Sequence, residues 1–154
     1  MEANRSTDDI IAALRSAQEK NEPLRPELQD LSGLKFTDAD LSGLDLTACN
    51  FSGCEMSRCN LSGARCPSAN FDGATLYKAK LDDAEFLGTT FRKANLSECS
   101  AIKTGFGMTD LEGANLFNSH LEDSSFVDAQ VRKTDFRASK MARSRFLEAD
   151  LEQS

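Results

Sequence analysis

Tryptophan is absent from this chain of 154 residues, tyrosine and histidine occur once each, as Tyr77 and His120, and proline only three times. A core here must be aliphatic and phenylalanine, and ten phenylalanines are available to it. Long apolar runs are missing too: nothing approaches the roughly 18 consecutive residues of a membrane span, and the amino terminus lacks the basic-then-apolar order of a secretory signal. These absences lead us to expect a cytoplasmic protein with no membrane partner. Positive charge is scarce, with 18 Lys and Arg against 25 Asp and Glu and a net charge of −7, which excludes nucleic-acid binding through a general basic surface. The length excludes a second sizeable core.

Chemistry-bearing patterns are equally sparse. Cys49, Cys54, Cys59, Cys66 and Cys99 form neither an even set nor a CxxC pair, which speaks against a disulfide framework or a zinc site and suits a reducing compartment. His120 has no cysteine or carboxylate at a ligand spacing, and the glycines build neither a GxGxxG nor a Walker loop. No catalytic residue, metal or cofactor is expected, and hence no enzymatic activity.

What the chain does have is a period. From Leu31 to Leu151 every fifth residue is apolar without a break, twenty-five positions in all, of which eleven are Leu and nine Phe. Two residues earlier, from Ala39 to Ala149, the position holds Ala, Cys, Ser or Thr, with Leu44 the only exception. Seven of the nine glycines sit two residues after the large apolar one. A period of five suits neither regular element: along a helix it drifts by roughly 140° per repeat, and along a strand it reverses the face. The chain must turn once per repeat, with glycine or small polar residues at the corners, and coil about an axis so that neighbouring coils bury each other's large and small residues.

The segments Ala39-Asp40-Leu41-Ser42-Gly43, Cys59-Asn60-Leu61-Ser62-Gly63, Ala69-Asn70-Phe71-Asp72-Gly73 and Ala114-Asn115-Leu116 resemble the A(D/N)LxX motif of the pentapeptide repeat family, over about four-fifths of the chain. The resemblance implies an all-β solenoid: a right-handed quadrilateral β-helix with four pentapeptides per coil, here about six coils and roughly 30 Å long at ~4.8 Å per coil. Residues twenty apart then stack, with Phe51, Phe71 and Phe91 in one internal ladder and Phe86, Phe106, Phe126 and Phe146 in another. The Asp or Asn before each large residue reads as turn hydrogen bonding rather than as a ligand set.

The two ends differ. Residues 1–28 read as an amino-terminal capping helix and linker, and 29–154 as the repeat domain. Ser6 or Thr7 caps a helix over 7–21 whose Ile10, Ile11 and Leu14 share a face, and Asn21, Pro23 and Pro26 end it. Leu34 and Leu44, the oversized residues of the small phase, are expected to pack against that helix as the lid of the first coil. At the carboxyl end Phe136, Met141, Phe146 and Leu151 make a candidate association surface: a tail-to-tail homodimer, a docked partner, or the continuation of a longer chain, with a short fold-back plug as the structural alternative.

Outward departures from polarity mark candidate protein contacts. Under the four-repeat geometry Leu87, Val127 and Leu147 share a column with Gly107 between them and Met108 alongside, while Tyr77 and Phe117 share another. A basic ring of Arg132, Lys133, Arg137, Lys140, Arg143 and Arg145 crowds the last coils with only Asp135 among them, suited to an acidic partner or simply to water. The function these features favour is a non-enzymatic scaffold presenting rigid faces and its carboxyl end to a protein partner, by analogy an accessory of a bacterial assembly such as a secretion system. The alternative comes from the resemblance alone: one branch of the family mimics B-form DNA, binds DNA gyrase and protects it from quinolones. The basic ring and the uninterrupted repeat count against it.

Overall fold

The computed structural model describes residues 6–154; the first five residues of the amino-terminal segment lie outside the described residues. From Asp30 onward the backbone follows the five-residue clock, and each residue preceding a large apolar one forms a parallel bridge with the residue twenty later, from Asp30–Asn50 through to Gln130–Asp150. Four pentapeptides therefore complete one turn of the coil, and the coil has four sides. We number these sides first to fourth by the pentapeptides centred on Leu31, Phe36, Leu41 and Leu46 and their successors at twenty-residue steps.

The hydrogen bonds explain why this path is stable without long strands. Within each repeat one N–H bonds the coil on one side, two bond the coil on the other, and a fourth closes the corner: Asn50 donates to Gln29 O at 2.7 Å, Leu31 to Asn50 O at 2.9 Å, Gly33 to Ser52 O at 2.9 Å, and Leu34 back to Leu31 O at 3.3 Å. Where an Asp or Asn precedes the large residue, the fifth N–H, on the residue after it, is taken by that side chain two positions earlier, as in Ser52 to Asn50 Oδ1 at 3.1 Å, Ser62 to Asn60 Oδ1 at 3.1 Å and Asp72 to Asn70 Oδ1 at 2.8 Å. Where Thr90 and Ser100 replace the Asx, an aspartate from the adjacent coil takes over: Arg92 N–H donates to Asp72 Oδ1 and Ile102 N–H to Asp82 Oδ1, both at 2.8 Å.

Every corner residue two after the large one has positive φ, between 54° and 69°, which with the 4→1 bond is the type II turn. Glycine holds seven of these corners and other residues the remainder, from Asp38 to Gln153.

Inside, the large and small phases fill the shaft. Phe71 stacks on Phe51 at 4.9 Å and on Phe91 at 5.0 Å, and Phe106 stacks on Phe86 at 5.5 Å and Phe126 at 4.9 Å, so both expected ladders form. Adjacent ladders meet edge to face, Phe86 against Phe91 at 5.1 Å. The buried hydroxyls of the small phase are satisfied, all but one by a carbonyl 23 residues earlier: Thr104 donates to Leu81 O at 2.7 Å, Ser119 to Leu96 O at 2.9 Å and Thr134 to Leu111 O at 2.8 Å, while Thr109 donates to Phe106 O at 2.7 Å within its own turn.

Two helices precede the coils. α1 spans Thr7–Glu19 and is opened by a capping box in which Ser6 accepts from Asp9 N–H while Asp9 accepts from Ser6 N–H. α2, Pro26–Gln29, is a single turn that the sequence pattern did not announce: Pro26, read as a stop, occupies the first helical position, where its missing N–H is no loss. Ile10 and Leu14 are buried and Ile11 partly so. Leu44 is buried, whereas Leu34 remains 38% exposed. Polar side chains of α1 also reach the first coil: Thr7 donates to Lys35 O at 2.6 Å, Arg15 to Asp40 O at 3.0 Å, and Gln18 donates to Gly43 O at 3.1 Å while accepting from Asp45 N–H at 2.8 Å.

Candidate functional site

Since the inward phases are committed to packing, any site must be built from the outward positions, and these stack into columns. Some columns carry charge in alternating sign, as in Asp72, Arg92, Glu112, Arg132 and Glu152 or Asp83, Lys103, Asp123 and Arg143, and the ion pairs run along the rod from coil to coil. Arg58 clamps Asp38 through Nε at 2.7 Å, Arg92 reaches Glu112 at 2.8 Å, and Arg65 sits between Asp45 at 3.6 Å and Glu85 at 3.5 Å. These pairs are exposed and contribute little each. Their effect is to leave a mixed-charge surface.

The fourth side begins with this habit, in Asp45, Arg65 and Glu85, and then leaves it. Above Glu85 its first column carries Gly105 and Ser125 before Arg145, the next carries Leu87, Gly107, Val127 and Leu147 with no charge at all, and the third carries Gly88 and Met108 before Asp128 and Glu148. Leu87, Met108 and Leu147 are 56%, 63% and 67% exposed, and Val127 is half-buried. Gly107 leaves bare backbone in the strip, where a Cβ would make only ordinary contacts, 3.5 Å from Leu87 Cδ1 and 3.8 Å from Val127 O.

Tyr77 and Phe117 lie on the second side, two coils apart, so the structure does not join them to this strip. Phe117 is exposed; Tyr77 is half-buried, donates to Glu98 Oε1 at 3.3 Å and carries Lys78 Nζ 5.1 Å from its ring centre.

The six basic residues do encircle the last coils, but three are engaged. Arg132 pairs with Asp150 at 2.5 Å, Arg137 with Asp135 at 2.8 Å, and Arg143 with Asp123 at 2.5 Å. Hydrogen bonds from Arg137 hold Asp135 down to about 2, and those from Arg143 and Arg132 lower Asp123 and Asp150. Only Lys133, Lys140 and Arg145 enter no ion pair among the described residues. Asp123 and Asp150 escaped a reading of neighbours along the chain because they lie 20 and 18 residues from their partners. Pairing every charge with those one coil away would have found them.

At the carboxyl end Phe136 and Phe146 pack against the core, Phe146 stacking on Phe126 at 4.7 Å, while Met141 and Leu151 are exposed. The cysteines are all buried free thiols. Burial pushes Cys49, Cys59 and Cys99 up to about 12, Cys54 to about 11 and Cys66 well above the usual thiol range, so none is a nucleophile near neutrality. Among the described residues no three of His, Cys, Asp and Glu are grouped to hold a metal ion, and no helix is long and apolar enough to cross a membrane.

Comparison with known proteins agrees with this geometry. The family described as Pentapeptide repeats matches in eight copies over residues 30–63, 69–104 and 106–141. No curated protein sequence matches the chain. Among solved structures, trypsin-treated QnrB1, a plasmid-mediated fluoroquinolone resistance protein, is 20% identical with a TM-score of 0.51, over 79% of this chain and 74% of that one. HetL, a pentapeptide repeat protein involved in heterocyst differentiation regulation in the cyanobacterium Nostoc sp. strain PCC 7120, is 18% identical with a TM-score of 0.39, covering 81% and 73%. A pentapeptide repeat protein of the cyanobacterium Cyanothece 51142 is 15% identical with a TM-score of 0.40, covering 92% and 99%. Proteins of this kind fold as right-handed quadrilateral β-helices and are generally structural or interaction proteins without enzymatic activity. With its repeats matched over more than half its length, this chain belongs to the pentapeptide repeat family.

Proposed function

We propose that this chain is a non-enzymatic scaffold, a stiff rod of about six coils that offers its fourth side to a protein partner. α1 acts as the lid of the first coil in this reading. The observation that carries the reading is the uncharged strip of Leu87, Gly107, Val127 and Leu147 with Met108 beside it, since packing gives no reason for large apolar residues at outward positions. The carboxyl-terminal coil is the weaker surface, because the Phe136 and Phe146 rings are turned into the core. A rigid spacer of this kind fits an accessory position in a larger bacterial assembly, a secretion system for instance. The test is retention of proteins from the native lysate on the immobilised chain, with fold checked by circular dichroism. Val127→Asp and Leu147→Asp should each release the retained partner; an unchanged set of retained proteins overturns the reading.

The gyrase reading, prompted by family resemblance and by what QnrB1 is named for, needs rows of unpaired carboxylates. Here Asp38, Asp123, Asp135 and Asp150 each hold an arginine. The scaffold reading therefore expects no relief of quinolone inhibition in a DNA gyrase supercoiling assay.

A further inference from the structure

We propose that the fourth side takes a second copy of this chain, packed face to face with the two rods antiparallel. The inference rests on the reading of that side as a protein-contact surface and names its partner. Two parallel columns carry it. The apolar column runs Leu87, Gly107, Val127, Leu147, and the column beside it runs Glu85, Gly105, Ser125, Arg145. A two-fold axis lying in the plane of the face and across the rods keeps each column opposite itself and inverts its height. Placed midway between the Gly107 and Val127 coils, it brings Leu87 against Leu147 and sets Val127 over the bare backbone of Gly107.

The same operation, with nothing further adjusted, sets Glu85 opposite Arg145 at both ends of the contact. Both residues are exposed; Arg145 enters no ion pair among the described residues, and Glu85 is shared only with Arg65 at 3.5 Å. Gly105 and Ser125 between them add no bulk, so the backbones can approach. In the third column Gly88 and Met108 meet Glu148 and Asp128, so like charge never faces like. A parallel pair about an axis along the rod does worse. It sets Gly107 on Gly107, leaving a gap, and gives Glu85 no cation. Self-complementarity under a two-fold axis is what an isologous interface requires. Its extent, about three coil spacings or ~15 Å along one side, is below the standard interface size, so the dimer is weak and concentration-dependent.

Analytical ultracentrifugation of the full chain over a wide concentration range tests this. The wild type should pass from monomer to dimer. Val127→Asp or Leu147→Asp should raise the dissociation constant at least about tenfold, and Glu85→Arg or Arg145→Glu several-fold. The double swap Glu85→Arg with Arg145→Glu should restore it to within about threefold, because each charge again meets its opposite. These surface charge changes leave the core intact, which thermal melts of each variant confirm. Self-association that survives the substitutions, as contact through the carboxyl-terminal coil would, overturns the proposal, and so does a double swap no better than the singles. A chain that stays monomeric throughout also overturns it, while the retention assay still decides whether some other protein uses the side.

Discussion

Left-handed backbone is the feature each corner residue must supply, and the chain supplies it unevenly. Gly53 sits at φ 65° with nothing within 4 Å of where a Cβ would be, so its role is conformational and not steric. Ala48, at φ 58°, adopts the same turn with a Cβ. Ala48→Gly should therefore stabilise the fold and Gly53→Ala destabilise it, each by about 1 kcal/mol, the ordinary penalty for a non-glycine residue in this region. Urea denaturation midpoints check both, and equal midpoints for wild type and the two variants would refute the account. Much at this scale was legible from the chain. Glycine two residues after a large one, and Asp or Asn just before it, announce a turn at the repeats that have them, and the Asx bonds to the N–H two positions on are part of that turn. The crossed bonds from Asp72 and Asp82 were not legible, because they answer a missing Asx one coil away.

At the scale of elements, the coil register follows from the period alone, since five residues per corner and a closed four-sided path bring residues twenty apart together. The short helices follow less directly. α1 announced itself through Ser6, its acidic first turn and the Ile10 and Leu14 face, whereas α2 is a four-residue turn whose one signal, Pro26, marks starts and stops alike. The oversized pair also divides: Leu44 is buried, but Leu34 keeps over a third of its surface in water. What fastens α1 is then partly polar. Gln18 satisfies both Gly43 O and Asp45 N–H, the second of which has no preceding coil to bond, whereas Arg65 N–H one coil on reaches Leu44 O. Gln18→Ala should cost about 1 kcal/mol, and Leu14→Asp, which buries a carboxylate, about 3 kcal/mol or more, read as loss of thermal stability. If α1 were a loose surface helix, both variants would melt with the wild type.

For the whole molecule, the distribution of titrating groups sets a stability profile with two edges. On the acid side Asp30, Asp38, Asp40, Asp45, Asp123 and Asp150 all lie below the usual carboxylate value, and Asp135 falls to about 2, chiefly through hydrogen bonds from arginines or from the Ser and Thr two residues on in their own turns. The unfolded chain takes up these protons first, so the stability the carboxylates lend is full above about pH 5 and drains as pH falls through the lowered values. On the alkaline side the sign reverses. Burial raises all five thiols, so the unfolded chain ionises first and stability declines once pH passes about 9, the ordinary thiol value. The acid edge rests on exposed, salt-screened groups and the alkaline edge on buried ones. Melting temperature measured against pH should thus be flat between about 5 and 9 and fall on both sides, with added salt softening only the acid limb. Replacing Cys59 and Cys99 with alanine should make the alkaline limb shallower, Cys49, Cys54 and Cys66 still contributing, and leave the acid one in place. An alkaline limb indifferent to those replacements would mean that the thiols do not lie in the shaft where the five-residue clock puts them.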